Sequence, residues 1–500
     1  MNALWLQKIQ MLKWLYIVFP LVFFGGSVTA LLAAQNNSTT RFTVKTYDGL
    51  DLPAQVLHTS GTSKKLVVFI HGSTPYDHLG NDGPGVDENG KIIKQKNNFY
   101  NRFQEVMPAK GYAVATMAKR SFVYPQRIPR PTLDELALDI QFFVEELKKK
   151  NLLATEDDLV IVGYSEGSTV ATKVLGLLKK QPAACVLLGS ASMAYNYKTG
   201  PWQDWYRTDL YRQKKNWSDE QIEKEFMEFG TAMMNILEMD EVTFETEYKN
   251  SKPFGFGFAP WESYHIDKEV LFYDPTANIL AANVPVLICI GEDDMAMPMI
   301  KAKKTYQDLL ANGFEKGTFR VIKDEVHQYK KYDVFAIINA WIESEGTTSE
   351  FVLKADDQAF IDKFTQTDQV MDMINSLPYG GGQPEKALEY FEMAKKIQYQ
   401  EAQPWYKLGL VLFPDGYYEE ALYAFNHALD SSFVIRYASM VWIGHIKDIQ
   451  NHRQEAVQWY NKALQAYPGF AVQHDNWHMK IDRDWIQARL LTPFEGISNL

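Results

Sequence analysis

Ser165 stands in Gly163-Tyr164-Ser165-Glu166-Gly167, a glycine-x-serine-x-glycine segment. A serine hydroxyl is a weak nucleophile until a base takes its proton, so how the chain presents the residue matters as much as its type. DLVIVGYS over 158–165 reads as a strand, and a helix opens at Glu166. A serine on a tight strand-to-helix turn stands clear at the C-terminal edge of a sheet, and the flanking glycines leave room for the neighbouring strand and helix. The backbone N–H of Glu166 points toward the same spot, near the positive end of the helix, as an oxyanion donor would.

The chemistry needs an acid and a base. With this type of serine turn the chain order is serine, acid, histidine. Asp294 follows the strand-like VLICIG in GEDDMAMP, and His327 follows TFRVI in KDEVHQY. Both are strand-end loop positions on the edge that carries Ser165. Asp293 competes with Asp294, but the fourth position counted from Gly291 suits the loop better. Asp324 and Glu325 lie too near His327 in sequence to orient it. A second oxyanion donor is expected from the loop after LVVFIH, with the N–H of Ser73 as the first candidate and that of Gly72 as the alternative. No metal or cofactor enters this set.

These positions require a sheet with its strand ends aligned. RFTVKT and LDLPAQVLH, joined through Tyr-Asp-Gly, read as a hairpin. LVVFIH (66–71), YAVATM (112–117), DLVIVGYS, ACVLLGSAS (184–192), VPVLICIG (284–291) and TFRVI (318–322) read as buried strands. Helices are expected near 97–110, over 132–150 with a Thr132/Glu135 capping box, from Glu166, over 299–312 and over 329–343. Strand and helix alternating in this way give a mainly parallel sheet with helices on both faces. The alternation stops over about 193–280, an aromatic insertion that reads as a helical lid. Trp202, Trp205 and Trp261 in it are weak candidates for lining a substrate pocket. Cys185 and Cys289 sit inside strand-like runs and read as small buried hydrophobes rather than a disulfide framework.

With these residues in view, 42–345 resembles the α/β-hydrolase superfamily, and most of all bacterial carboxylesterases and prolyl-oligopeptidase-like hydrolases. HGSTPYDHLGNDGP resembles the GSGPxDRxGN loop of one esterase group, and Gly-Tyr-Ser-Glu-Gly resembles its Gly-His-Ser-Glu-Gly. The chain departs from that group at His78, where the arginine stands, at Ser121 in its Lys-Arg-Gly turn, and at Ser168, where glycine is common. The resemblance implies acyl-enzyme chemistry without a metal. Over roughly 352–475 the chain resembles an all-α tetratricopeptide array. Trp405, Leu408, Gly409, Ala421, Phe425 and Ala428 form one unit, and Ile443, Gly444, Ala456, Tyr460, Ala463 and Pro468 the next. An earlier half-unit falls at Ala387, Phe391 and Ala394. Residues 476–500 form a C-terminal extension.

Lys8 and Lys13, then an apolar stretch from Trp14, then small residues give residues 1–34 the layout of a secretory signal, cleaved near Ala30 or Ala34, or of a retained membrane anchor. Residues 35–41 read as a linker. The expected location is therefore exported, periplasmic or extracellular, or membrane-anchored. Of 500 residues, 62 are acidic and 51 basic, a net charge of −11 that excludes a nucleic-acid partner. The expected function is ester hydrolysis of a small-molecule acyl ester on Ser165, Asp294 and His327. An aminopeptidase or thioesterase on the same residues is the second reading. A scaffold with an inert hydrolase domain is the third, its repeats binding a protein or peptide.

Overall fold

The computed structural model describes residues 38–497 apart from 60, 82–89, 92–98, 129–130, 190–215, 225–226, 229–230, 232–239, 244–245, 247–272, 295–296, 298, 400 and 431–432. The expected leader or anchor at 1–34, most of the expected lid, and Trp202, Trp205 and Trp261 lie outside the described residues. Among the described residues, no helix is long and apolar enough to cross a membrane.

Eight strands form one sheet: β1 (Thr39–Lys45), β2 (Asp51–Leu57), β3 (Leu66–Ile70), β4 (Ala113–Met117), β5 (Leu159–Tyr164), β6 (Ala184–Leu188), β7 (Val286–Gly291) and β8 (Gly317–Ile322). Their order is β1-β2-β4-β3-β5-β6-β7-β8. The β1–β2 and β2–β4 pairs are antiparallel, and every pair from β4 to β8 is parallel. This is the sheet of an α/β-hydrolase fold. The parallel strands are mostly apolar because both faces are covered. Leu66, Val68 and Ile70 of β3 enter one apolar cluster, and Val67 and Phe69 the other.

Helices α1 (Phe99–Ala109) and α6 (Asp333–Glu343) cover the Val67 face. Helices α2 (Leu133–Lys149), α3 (Glu166–Leu177), α4 (Thr276–Ala282) and α5 (Met299–Ala311) cover the other. The Thr132/Glu135 capping box forms as the sequence predicts. Helix α4 straddles the expected end of the lid, and its Ile279 is buried in the sheet's core. Cys185 and Cys289 are free and buried, and burial pushes the Cys289 thiol up to about 12.

Six helices follow: α7 (Ala355–Ser376), α8 (Pro384–Lys396), α9 (Ala402–Leu412), α10 (Tyr418–His427), α11 (Phe433–Ile449) and α12 (Arg453–Ala466). The repeat positions explain their pairing. A Cβ on Gly409 would lie 2.6 Å from the Phe425 ring, and one on Gly444 would lie 2.5 Å from the Tyr460 ring. Only glycine lets α9 meet α10, and α11 meet α12, this closely. A small hairpin of β9 (Val472–His474) and β10 (Met479–Ile481), then α13 (Arg483–Leu491), closes the stack. The hairpin crosses the expected start of the C-terminal extension at 476.

The expected division between 345 and 352 separates the chain but not the cores. Phe364 of α7 is buried in the Val67-face cluster of the sheet, while Val370, Met371 and Ile374 of the same helix belong to the repeat core. Arg102 of α1, 5 % exposed at its side chain, reaches Asp368 at 2.5 Å and lies over the Phe364 ring. Lys110 pairs with Asp356 and Asp357, and the Tyr332 hydroxyl donates to Asp357 at 2.6 Å. Phe364→Ala should therefore cost about 3–5 kcal/mol, as truncation of a buried aromatic does. Urea denaturation of the full chain, read both by near-UV signal and by activity, checks this. Repeats that dock loosely would leave the sheet's transition unmoved.

Candidate active site

The serine turn is built from β5, which lies inside the sheet between β3 and β6. Ser165 adopts φ 56° and ψ −128°, outside the regions an L-residue favours. Such a conformation costs on the order of 1–3 kcal/mol and persists only where its surroundings over-determine it. Here they do. The Ser165 N–H donates to the Leu188 carbonyl at 2.9 Å, and its carbonyl accepts from the Ser168 N–H at 2.8 Å. The buried Ser168 hydroxyl lies 2.9 Å from the carbonyl oxygens of both Gly163 and Leu188. The serine that replaces the usual glycine is thus a brace for the turn. A Cβ at Gly163 would overlap the Gly167 carbonyl, and one at Gly167 would overlap the Ile70 carbonyl.

The expected acid and base meet this serine. His327 Nε2 lies 3.0 Å from Ser165 Oγ, and His327 Nδ1 lies 2.9 Å from Asp294 Oδ2. The Asp294 carboxylate is fully buried, and its other oxygen accepts from the Met297 N–H at 2.8 Å. With Nδ1 donating to the carboxylate, the Nε2 lone pair faces the hydroxyl proton. Asp293 is exposed and takes another part: its N–H donates to the Glu325 carbonyl at 2.8 Å, tying the acid loop to the histidine loop.

Three further residues set the histidine, and sequence reading passed over them. The Tyr164 ring stacks on the imidazole with centroids 5.2 Å apart, and its hydroxyl donates to the His327 carbonyl at 3.0 Å. Period-2 alternation along β5 could have placed that ring on the Val67 face. Buried Glu325, set aside as too local to His327, accepts the N–H groups of Val326, Lys330 and Lys331 at 3.0, 2.9 and 2.7 Å. It folds the loop back on itself. Arg102 of α1, on the same face of the sheet, then donates to the Lys330 carbonyl at 2.8 Å.

On the oxyanion side the structure separates the two candidates. The Gly72 N–H donates to the Tyr100 hydroxyl at 2.7 Å and is not available to a substrate, which corrects its place as the alternative donor. The N–H groups of Ser73 and Glu166 have no acceptor among the described residues. The 71–73 segment lies against Ser165, since a Cβ on Gly72 would be 3.1 Å from Ser165 Cβ and 3.5 Å from Oγ. Further along, Asp77 accepts from the N–H groups of Leu79 and Asn81 at 2.9 and 2.8 Å and from the Asn81 amide at 2.9 Å. His78, standing where the esterase group has arginine, is largely buried, and burial pushes it down to about 4. His71 is fully buried against Phe69, Tyr76 and Tyr100, and burial with the nearby Lys119 cation pushes it down to about 3. Among the described residues, no cluster of three or more histidine, cysteine, aspartate or glutamate side chains could hold a metal ion.

The glycine pair that frames the turn carries a test. Gly167→Ala places a methyl against backbone that cannot yield without parting β3 from β5, so it should cost at least about 2 kcal/mol. It should also abolish reactivity at Ser165. Gly61→Ala, with nothing within 4 Å of the added Cβ, should stay within about 0.5 kcal/mol of wild type. Thermal melts beside active-site labelling read both, and a Gly167→Ala protein that labels normally would contradict the described packing.

Known proteins place these units as follows. Residues 437–470 match the tetratricopeptide repeat family, over the unit expected around Gly444 and Tyr460. No curated protein matches the chain. Among solved structures, the chain is similar to a thermophilic esterase from Thermogutta terrifontis at 18% identity and TM-score 0.37, covering 62% of this chain and 100% of that one. It is similar to an esterase from Pyrococcus furiosus at 13% identity and TM-score 0.35, covering 62% and 89%. It is similar also to a proline iminopeptidase from Mycobacterium smegmatis at 13% identity and TM-score 0.38, covering 62% and 100%. At these values the likeness says nothing of substrate, and the fold rests on the strand order. That order and the matched repeat together give the chain an α/β-hydrolase fold continued by a tetratricopeptide-repeat region.

Proposed function

We propose that the protein is a serine hydrolase that cleaves carboxylic esters through an acyl-enzyme intermediate. The observation that carries this reading is the continuous chain from Ser165 Oγ to His327 Nε2 at 3.0 Å and from His327 Nδ1 to Asp294 Oδ2 at 2.9 Å. Ser165 attacks the acyl carbonyl while His327 takes its proton. The imidazolium then gives that proton to the leaving alcohol, and the acyl-serine ester remains. Water, deprotonated by His327, attacks the acyl-serine, and the proton returns to Ser165 as the acid departs. Asp294 keeps the ring in the tautomer that leaves Nε2 free and stabilises it when charged. The N–H groups of Ser73 and Glu166 receive the oxyanion, and one such donor is worth about 10²–10³ in turnover in enzymes of this chemistry.

Carboxylic esters are the favoured class because activated acyl groups need nothing beyond this machinery. An aminopeptidase needs a site for the substrate's amine, and no feature of the described residues offers one. The test is labelling with a fluorophosphonate, followed by a panel of acyl esters, acyl thioesters and aminoacyl amides. Wild type should label at Ser165 and turn over the esters fastest, while Ser165→Ala should neither label nor turn over. Asp294→Asn should retain the fold and lose about 10⁴ in kcat through the wrong tautomer. Failure of wild type to label would overturn the reading, and preference for thioesters or amides would replace the ester class.

A further inference from the structure

Lys119 follows β4, and its side chain is only 7 % exposed. Its ammonium donates to the Gly72 carbonyl at 2.6 Å, to Glu166 Oε2 at 2.9 Å and to the Ser73 carbonyl at 3.2 Å. An ammonium has three protons, and here each has an acceptor.

These acceptors bear on the oxyanion site through the geometry of one peptide unit. The Gly72 carbonyl and the Ser73 N–H belong to the same trans peptide, so they point in opposite directions. A cation that pins the carbonyl therefore aims the N–H away from itself. The same peptide segment lies within van der Waals reach of Ser165, as the Cβ distances at Gly72 require. Ser73 itself is exposed, so its neighbours on the solvent side do little to fix it. The Tyr100 hydroxyl holds the Gly72 N–H on the other flank. The second donor, the N–H of Glu166, belongs to the residue whose carboxylate completes the Lys119 set. One buried cation thus joins the two loops that supply the two donors.

We propose that Lys119 is a positioning residue for the oxyanion site, fixing the Gly72–Ser73 peptide against Glu166 so that both N–H groups converge beside Ser165. This role rests on the reading of Ser165 as a nucleophile. Lys119 touches no reacting atom, and it acts by setting the direction of one N–H and by polarising the peptide that carries it. Its effect is on the charged, tetrahedral state and not on the binding of the ester itself.

The test measures kcat per titrated active site, KM for a nitrophenyl ester, and Ki for a trifluoromethyl ketone, whose adduct with Ser165 carries an oxyanion. Lys119→Met should lower kcat about 10²-fold, raise Ki in parallel, and move KM little, which is the signature of a lost oxyanion donor. In a Ser73→Pro background, which lacks the N–H, Lys119→Met should add little further loss. Where Lys119→Met does not accumulate as folded protein, Lys119→Gln serves. It keeps a neutral donor in place of a saturated cation, and it should show the same split at smaller size. A kcat per titrated site and a Ki within about twofold of wild type, in whichever variant folds, would overturn the role. So would a loss confined to melting temperature and to the number of active sites. If wild type itself does not label with the fluorophosphonate, the nucleophile reading fails first and takes this role with it.

Discussion

The conformation of Ser165 is the constraint on which the surrounding structure depends. A residue at φ 56° and ψ −128° stays there only if relaxation is blocked on every side. The turn is therefore placed inside the sheet, where β3 and β6 flank β5 and helix α3 packs behind it. Gly163 and Gly167 admit the neighbouring carbonyls, and the Leu188 carbonyl at the end of β6 receives the serine's own N–H. With Ser165, the proposed nucleophile, at the end of β5, strand order assigns the rest of the edge. The end of β3 brings the Gly72–Ser73 loop from one side. The ends of β7 and β8 bring Asp294 and His327 from the other, two and three strands away.

That distance explains why the histidine loop is tied down so heavily. His327 has to reach back from β8 to β5, across the ends of two strands. A free loop of that reach would seldom present Nε2 to the serine, and misplacement by about 1 Å costs on the order of 10²-fold in rate. Glu325 fixes the loop's curvature from within, and Tyr164 fixes the ring from below. Arg102 and Tyr332 fix the far end of the loop to α1 and α7. Because α7 divides its apolar side chains between the sheet and the repeat core, the His327 loop and the helical repeats share one support. The repeat region is part of what holds the site in shape.

Elements legible in the sequence were those whose signal is local. The central strands announced themselves as short, mostly apolar runs, and α2 by its capping box. The serine turn was marked by two glycines around one serine, and the repeats by glycines set opposite aromatics. Asp294 and His327 were legible because both stand at strand ends on one edge. What was not legible depends on contacts between distant segments. Gly72 stayed an alternative to Ser73 until Tyr100, 28 residues away in sequence from Gly72, claimed the Gly72 N–H. Glu325 could not be valued while its neighbours were seen only as sequence, since its partners are backbone groups of its own loop. The sharing of α7 was also hidden, because an amphipathic pattern shows that a helix is buried and not which core receives it.

Three of the buried cations show one solution. Arg120 grips Asp139 with two bonds of 2.7 and 2.6 Å and reaches Asp48 in the β1–β2 turn. Arg102 spans Asp368 and the Lys330 carbonyl. Lys119 spans Gly72, Ser73 and Glu166. Each is nearly free of solvent, and each carries enough donors to join segments that no strand pairing connects. Taking such a charge out of water is expensive, and a well-packed apolar side chain in its place often gives equal or greater stability. Stability is therefore a weak reason for three of them. Directionality is a stronger one, because an apolar contact tolerates sliding and rotation while a saturated ammonium or guanidinium fixes where each acceptor points. Two of the three sit where pointing matters: behind the Gly72–Ser73 peptide beside Ser165, and at the root of the loop that carries His327.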